Sequence, residues 1–68
     1  MSAAYIRLAE LAERERDLAV AGHVEDVLAV QAERSALIAS LPATAPAEAQ
    51  PYLRRAFAAQ AETTAALG

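Results

Sequence analysis

The sequence predicts an all-α domain, an antiparallel helical hairpin followed by a third helix, which together form a three-helix bundle. Large apolar residues recur at alternating steps of three and four, a spacing that aligns them on one helical face. Alanine, the strongest helix former, supplies most of the 56% apolar fraction. Helix-ending signals interrupt the pattern around Gly22 and between Pro42 and Pro51.

The first helix is predicted over about residues 2–21. Ser2 is a suitable N-cap residue. Gly22 can take the left-handed backbone conformation that closes a helix, so a turn is expected there. One face carries an apolar stripe with a single charged member, formed by Ala4, Leu8, Leu11, Glu15 and Leu18.

The second helix is predicted over about residues 24–40. Glu25 and Asp26 place negative charge in its first turn, where the helix dipole favours it. Pro42 ends the helix because it disfavours the helical conformation of Leu41. Its apolar residues form two adjacent rows along the helix. Together the rows make a stripe wide enough to contact two neighbouring helices, so we expect this helix to be the central one. The rows are Val24, Leu28, Gln31, Ser35, Ile38 and Val27, Val30, Arg34, Leu37, Leu41.

A proline-rich linker over residues 42–47 leads to a third helix predicted over about residues 48–67. Pro51 is tolerated in a first helical turn, where amide hydrogens lack intrahelical partners. The helix either closes the bundle, with Tyr52, Leu53 and Phe57 in the core, or detaches and docks on another chain. Its stripe consists of Leu53, Phe57, Gln60, Thr64 and Leu67.

The size of the chain limits its core. Its 68 residues make a single domain over 1–68, and so short a chain buries only about 60% of the surface that its unfolded form exposes. It has no cysteine for a disulfide. Helix packing or self-association must supply the stability, so a homo-oligomer is expected. No apolar run approaches the roughly 20 residues of a membrane span, and no signal peptide opens the chain, which predicts a cytoplasmic protein.

The charged and polar residues exclude several function classes. Net charge is −3 and no helix has a basic face, which argues against nucleic-acid binding. His23 lies in the turn whereas Glu10 and Glu13 lie on a polar face, so metal ligands would not converge. No nucleophile stands beside a base, and no glycine-rich loop could hold a phosphate. We therefore expect no enzyme activity, no metal, no cofactor and no small-molecule ligand.

Glu15 and Arg34 are the charges that interrupt the apolar stripes. In a hairpin that turns at Gly22 they lie at comparable distances from the turn, so we predict that they pair across the two helices. Such a pair penalises a slip of register more than it adds stability. Alternatively, Arg34 is exposed and contacts a partner.

Short motifs of the hairpin resemble the small flagellar export chaperones, particularly the filament-cap type (FliT-like). In that family the first helix ends in Ala-Gly, and the second carries Glu-Arg followed by two aliphatic residues and a leucine. The segment from Leu53 to Leu67 is similar to the third helix of the family. The matching residues here are Ala21-Gly22-His23-Val24, Glu33-Arg34, Leu37-Ile38 and Leu41.

The resemblance implies a non-enzymatic cytoplasmic chaperone that binds an amphipathic helix of a flagellar axial protein and delivers it to the type III export apparatus. The alternative is a structural homodimerisation or helical interaction module, such as an adaptor or an antitoxin-like subunit. An apolar groove that stays open would favour the chaperone. Candidate partner-binding residues are Leu28, Arg34, Tyr52, Leu53, Phe57 and Leu67, and candidate structural residues are Glu15, Gly22 and Pro42.

Overall fold

A computed structural model describes residues 2–68 and contains three α-helices packed together. Helix α1 spans Ala3–Val20 and helix α2 spans Val24–Ala39. A short 3-10 turn, Ala47–Ala49, leads directly into helix α3, Gln50–Leu67, whose first turn contains Pro51. The predicted all-α three-helix architecture is confirmed.

The turn between α1 and α2 closes as the sequence predicts. Gly22 has a φ of 83°, in the left-handed region. Its N–H donates to the carbonyl of Ala19 at 3.1 Å, and the N–H of His23 donates to the carbonyl of Leu18 at 2.9 Å. These two bonds form a Schellman motif, which satisfies carbonyls that the end of α1 leaves free.

Helix α1, not α2, is the central helix, so the expectation from the two rows of α2 is wrong. Helix α1 packs against both other helices, whereas α2 and α3 hardly touch each other. In α2 only Val27 and Val30 are buried. The α2 row that contains Leu28 and Ile38 stays exposed because α3 packs on α1 instead. The buried residues of α1 are Tyr5, Leu8, Ala9, Leu11, Ala12, Glu15 and Ala19.

The connecting turn and the interhelical side-chain contacts define the directions of the helices. Only residues 21–23 separate α1 from α2, so the two helices are antiparallel, and Glu15 of α1 contacts Gln31 and Arg34 of α2. Helix α3 runs parallel to α1, because its early residue Arg55 contacts Glu13 and its late residue Glu62 contacts Arg16.

Small side chains bring α1 and α3 together. The core cluster combines Leu8 and Ala12 of α1 with Ala56 and Ala59 of α3, and Leu37, Leu41 and Leu53 pack against it. Alanine leaves little side-chain volume between two helices, so α3 lies close along α1. One turn beyond Ala59, the buried Thr63 donates its hydroxyl hydrogen to the carbonyl of Ala59 at 3.0 Å.

Replacing Gly22 by alanine is expected to destabilise the fold by about 1 kcal/mol, because an L side chain is strained in the left-handed region. A Cβ at this position would meet no atom within 4 Å, so the loss is one of backbone conformation alone. Urea denaturation followed by circular dichroism measures the change. Gly22→Asn, which tolerates this backbone better, should lose less; equal stability of wild type and Gly22→Ala would contradict the account.

Candidate functional site

The candidate site is the surface between α2 and α3, which we call the open face. Residues spaced by four and three lie on one side of a helix. The side of α2 that carries Leu28 also contains Gln31, which donates a hydrogen bond to Glu15. The side of α3 that carries Phe57 also contains Gln60, which accepts a hydrogen bond from Arg34 of α2. The open face therefore consists of Val24, Leu28, Gln31, Ser35 and Ile38 on α2 and of Leu53, Phe57, Gln60, Thr64 and Leu67 on α3.

Two adjoining clefts of about 240 and 250 Å³ open on one half of this face. Leu8 of α1 forms part of the floor of both, and Ile38, Leu53 and Phe57 line both as well. Arg34 and Gln60 lie at the end of the first cleft nearest the middle of the bundle. The second cleft continues toward the linker and is further lined by Tyr5, Leu41, Pro42, Ala43 and Ala45.

Large apolar side chains on the open face are exposed to solvent. Phe57 is 70% exposed, Leu28 is 59% exposed and Ile38 is 50% exposed. Val24 and Leu67, at the end of the face nearest the α1–α2 turn, are also about half exposed. A surface of this kind, with polar residues among large apolar ones, is typical of a protein-interaction site.

A buried polar cluster lies beneath the middle of the open face and joins all three helices. Glu15 of α1 is fully buried. Its Oε1 lies 3.0 Å from Nη1 of Arg34, and its Oε2 accepts a hydrogen bond of 3.2 Å from Nε2 of Gln31. Nη1 of Arg34 also donates to Oε1 of Gln60 on α3. The predicted pairing of Glu15 with Arg34 is confirmed.

The cluster holds its charges with few hydrogen bonds. Within residues 2–68, Oε1 of Glu15 and Nε of Arg34 have no hydrogen-bond partner, so the contact of Glu15 with Arg34 is an electrostatic one. A buried carboxylate is costly unless a positive charge compensates it. Arg34 is therefore a structural residue, and it also lines the first cleft. The hydroxyl of Tyr5 is likewise buried without a partner.

The structure brings most of the predicted partner-binding residues together. Leu28, Leu53, Phe57 and Leu67 lie on the open face, whereas Tyr52 is half buried and shares the row of α3 that faces α1. Sequence analysis missed the roles of Gln31 and Gln60, which complete the buried cluster. The sequence contains a signal for these roles, because both glutamines are polar residues within apolar stripes and lie near the level of Glu15 and Arg34.

The other ion pairs between helices lie away from the open face, and among the described residues each of them involves α1. Arg7 pairs with Glu33 at 3.2 Å, and Arg55 pairs with Glu13 at 2.7 Å. The hydrogen bond from Arg55 lowers the pKa of Glu13 and raises the pKa of Arg55. A hydrogen bond to Asp17 raises the pKa of Arg16, and the nearby Glu62 adds to this effect.

Other kinds of site are not found in the described part of the chain. Within residues 2–68 no group of three or more histidine, cysteine, aspartate or glutamate residues could hold a metal ion. No described helix combines the length and apolarity needed to cross a membrane. Comparison with protein-family models, curated proteins and solved structures finds no match.

Replacing Arg34 by methionine should destabilise the fold by about 3 kcal/mol, because it leaves the buried Glu15 carboxylate without a compensating charge. The double variant Glu15→Leu/Arg34→Met removes both charges and should recover most of that loss. Chemical denaturation measures the free energy of unfolding of both variants and of the wild type. A double variant as unstable as Arg34→Met would contradict the account.

The pKa of Glu13 should rise toward its ordinary value when Arg55 is replaced by methionine, because the hydrogen bonds that favour the carboxylate are lost. In the wild type the pKa is lower in the folded than in the unfolded chain. The pair therefore stabilises the fold above the ordinary pKa of glutamate, and this contribution is lost as the pH falls through the lowered pKa.

A carbon-detected NMR titration of Glu13 measures this shift. Arg7→Met is the matched control, because Arg7 pairs with Glu33 and should leave the pKa of Glu13 unchanged. An identical Glu13 pKa in the wild type and Arg55→Met would show that the pair does not persist in solution.

Proposed function

We propose that this chain is a non-enzymatic helix-binding module that receives an amphipathic helix of another protein on the open face. The observation that supports this best is that α2 and α3 both pack on α1 yet leave apolar side chains exposed between them. An amphipathic helix laid into such a groove buries its apolar face against these side chains, with anchors at helical spacing.

The dimensions of the open face suit one helix. From Leu53 to Leu67 the α3 row spans 15 residues, and the distance between its ends is about 21 Å along the helix axis. A partner helix of about four turns would therefore contact the whole row. Leu8 and Ala12 of α1 lie at the bottom of the groove, so the partner would rest on all three helices.

More specifically, we propose a cytoplasmic export chaperone of the filament-cap type. The support for this assignment is the resemblance of the Ala21-Gly22 turn and the Glu33-Arg34 and Leu37-Ile38 motifs, together with a groove of the size that a client helix needs. In this role the module would cover an aggregation-prone helix of a flagellar axial protein until the protein reaches the type III export apparatus.

Homodimerisation is the second candidate, and the exposure of Phe57 and Leu28 supports it. A chain of 68 residues has a small core, and a second copy on the open face would enlarge it. The two candidates differ in the state of the free protein, because a chaperone must leave the groove accessible to its client.

Phe57→Ser should weaken binding of a filament-cap protein at least tenfold, since truncating a central aromatic anchor costs about 2 kcal/mol or more. The free energy of unfolding should change by less than about 0.5 kcal/mol, because Phe57 is 70% exposed. Isothermal titration calorimetry with the purified filament-cap protein, together with urea denaturation, measures both quantities.

Val20→Ser is the matched control, since Val20 is 71% exposed but lies on α1 and outside the open face. It should bind as the wild type does. Unchanged affinity of Phe57→Ser would remove the open face as the binding site, and no binding by the wild type would remove the flagellar assignment.

A further inference from the structure

The two edges of the open face have similar compositions. The outward-facing row next to the face on α2 begins with a charge and continues with alanine, and the corresponding row on α3 does the same before it ends at Gly68. All of these residues are exposed. The rows are Glu25, Ala29, Ala32, Ala36 and Ala39 on α2 and Arg54, Ala58, Ala61, Ala65 and Gly68 on α3.

The outer face of α1 is different, because it is charged along its length. Arg7, Glu10, Arg14 and Asp17 are all exposed there, as expected for a solvated helix surface. Alanine edges let another helix approach α2 and α3 closely. The only charges on them are Glu25 and Arg54, and neither has an ion-pair partner within residues 2–68.

Glu25 and Arg54 lie at opposite ends of the open face. Gln31 and Gln60 both contact the Glu15–Arg34 pair, so they mark about the same level of the bundle. Glu25 precedes Gln31 by six residues and Arg54 precedes Gln60 by six residues, while α2 and α3 run in opposite directions. The two charges are therefore each about 9 Å from that level, in opposite directions.

We propose that the open face selects a partner helix that carries an acidic residue at the Arg54 end and a basic residue at the Glu25 end. This inference rests on the proposed helix-binding function. The separation of about 18 Å along the axis corresponds to about 12 residues of the partner helix. Between the two charges the helix carries apolar anchors for Phe57 and Leu28.

The same charges set the direction of the partner helix. Acidic residues stabilise the N-terminal end of a helix and basic residues its C-terminal end, through the helix dipole. A helix with its acidic N-terminal end beside Arg54 and its basic C-terminal end beside Glu25 runs parallel to α3. Asp26, next to Glu25 in the first turn of α2, adds negative charge at the same end.

A second copy of the chain does not satisfy these charges. If two open faces pair about a two-fold axis parallel to the helices, Arg54 and the partner's Glu25 lie at opposite ends of the interface. If the axis is perpendicular to the helices, they lie at the same end but on opposite edges. One helix lying between the two edges reaches both charges, so a helix of another protein is the occupant that the charges favour.

Two synthetic peptides of about 18 residues, with leucines at steps of four and three, test this inference. The first has glutamate in its N-terminal turn and arginine about 12 residues later, and the second exchanges the two charges. The wild-type chain and the charge-swapped variant Glu25→Arg/Arg54→Glu are each titrated with both peptides. Fluorescence anisotropy at low salt measures affinity, and circular dichroism confirms that the variant folds.

The wild type should bind the first peptide about tenfold more tightly than the second, because each correct pair attracts and each exchanged pair repels. The variant should prefer the second peptide, and both preferences should diminish as salt is added. Because both proteins meet the same two peptides, a difference in peptide helicity cannot produce the reversal.

Equal affinities, or the same preference in the variant as in the wild type, would overturn the charge selection. Titration of the Phe57→Ser variant with the same peptides would then show whether they still bind the open face. This tests the helix-binding function separately from the charge selection. A wild-type chain that binds neither peptide would overturn the inference, as would a wild-type dimer that Phe57→Ser dissociates. Titration of the filament-cap protein then decides the proposed function separately.

Discussion

The position of every helix depends on the buried carboxylate of Glu15. A fully buried carboxylate needs a compensating charge, and Arg34 of α2 supplies it at 3.0 Å, which fixes the register of the hairpin. Arg34 also bonds Gln60, so the same charge positions α3. The apolar packing of α1 on α3 depends largely on Ala12, Ala56 and Ala59, which specify register weakly because one alanine resembles another. The ion pair adds the specificity that these contacts lack.

The open face follows from this arrangement. Arg34 reaches Gln60 across the gap, so a long side chain joins α2 to α3 while their backbones stay apart. Around this bridge the large apolar residues of both helices remain exposed, and the edges carry alanine. The same features that make a small core weak therefore produce a surface that another helix can cover. The sides of α2 and α3 that face α1 form the core and stabilise the fold. The adjacent sides form the open face and are the ones proposed to bind a partner.

Much of the fold could be predicted from sequence because its signals are local. Gly22 marks the turn, Pro42 and Pro51 flank the linker, and the positions of Glu15 and Arg34 relative to the turn predict their pairing. The choice of central helix was not predictable in this way. The α2 row that contains Leu28 and Ile38 has the spacing of a buried row. It stays uncovered because Ala56, Ala59 and Thr63 of α3 pack on α1 instead. Hydrophobic spacing shows which side of a helix is apolar but not whether a neighbour or a partner covers it.

Light scattering coupled to size-exclusion chromatography, with circular dichroism on the same fractions over a dilution series, tests whether one chain folds alone with its open face free for another protein. We expect a monomer whose helicity does not change on dilution, because Glu15, Arg34 and Gln60 join the helices within one chain. A dimer that loses helicity as it dissociates would contradict this expectation, since a second copy would then complete the core.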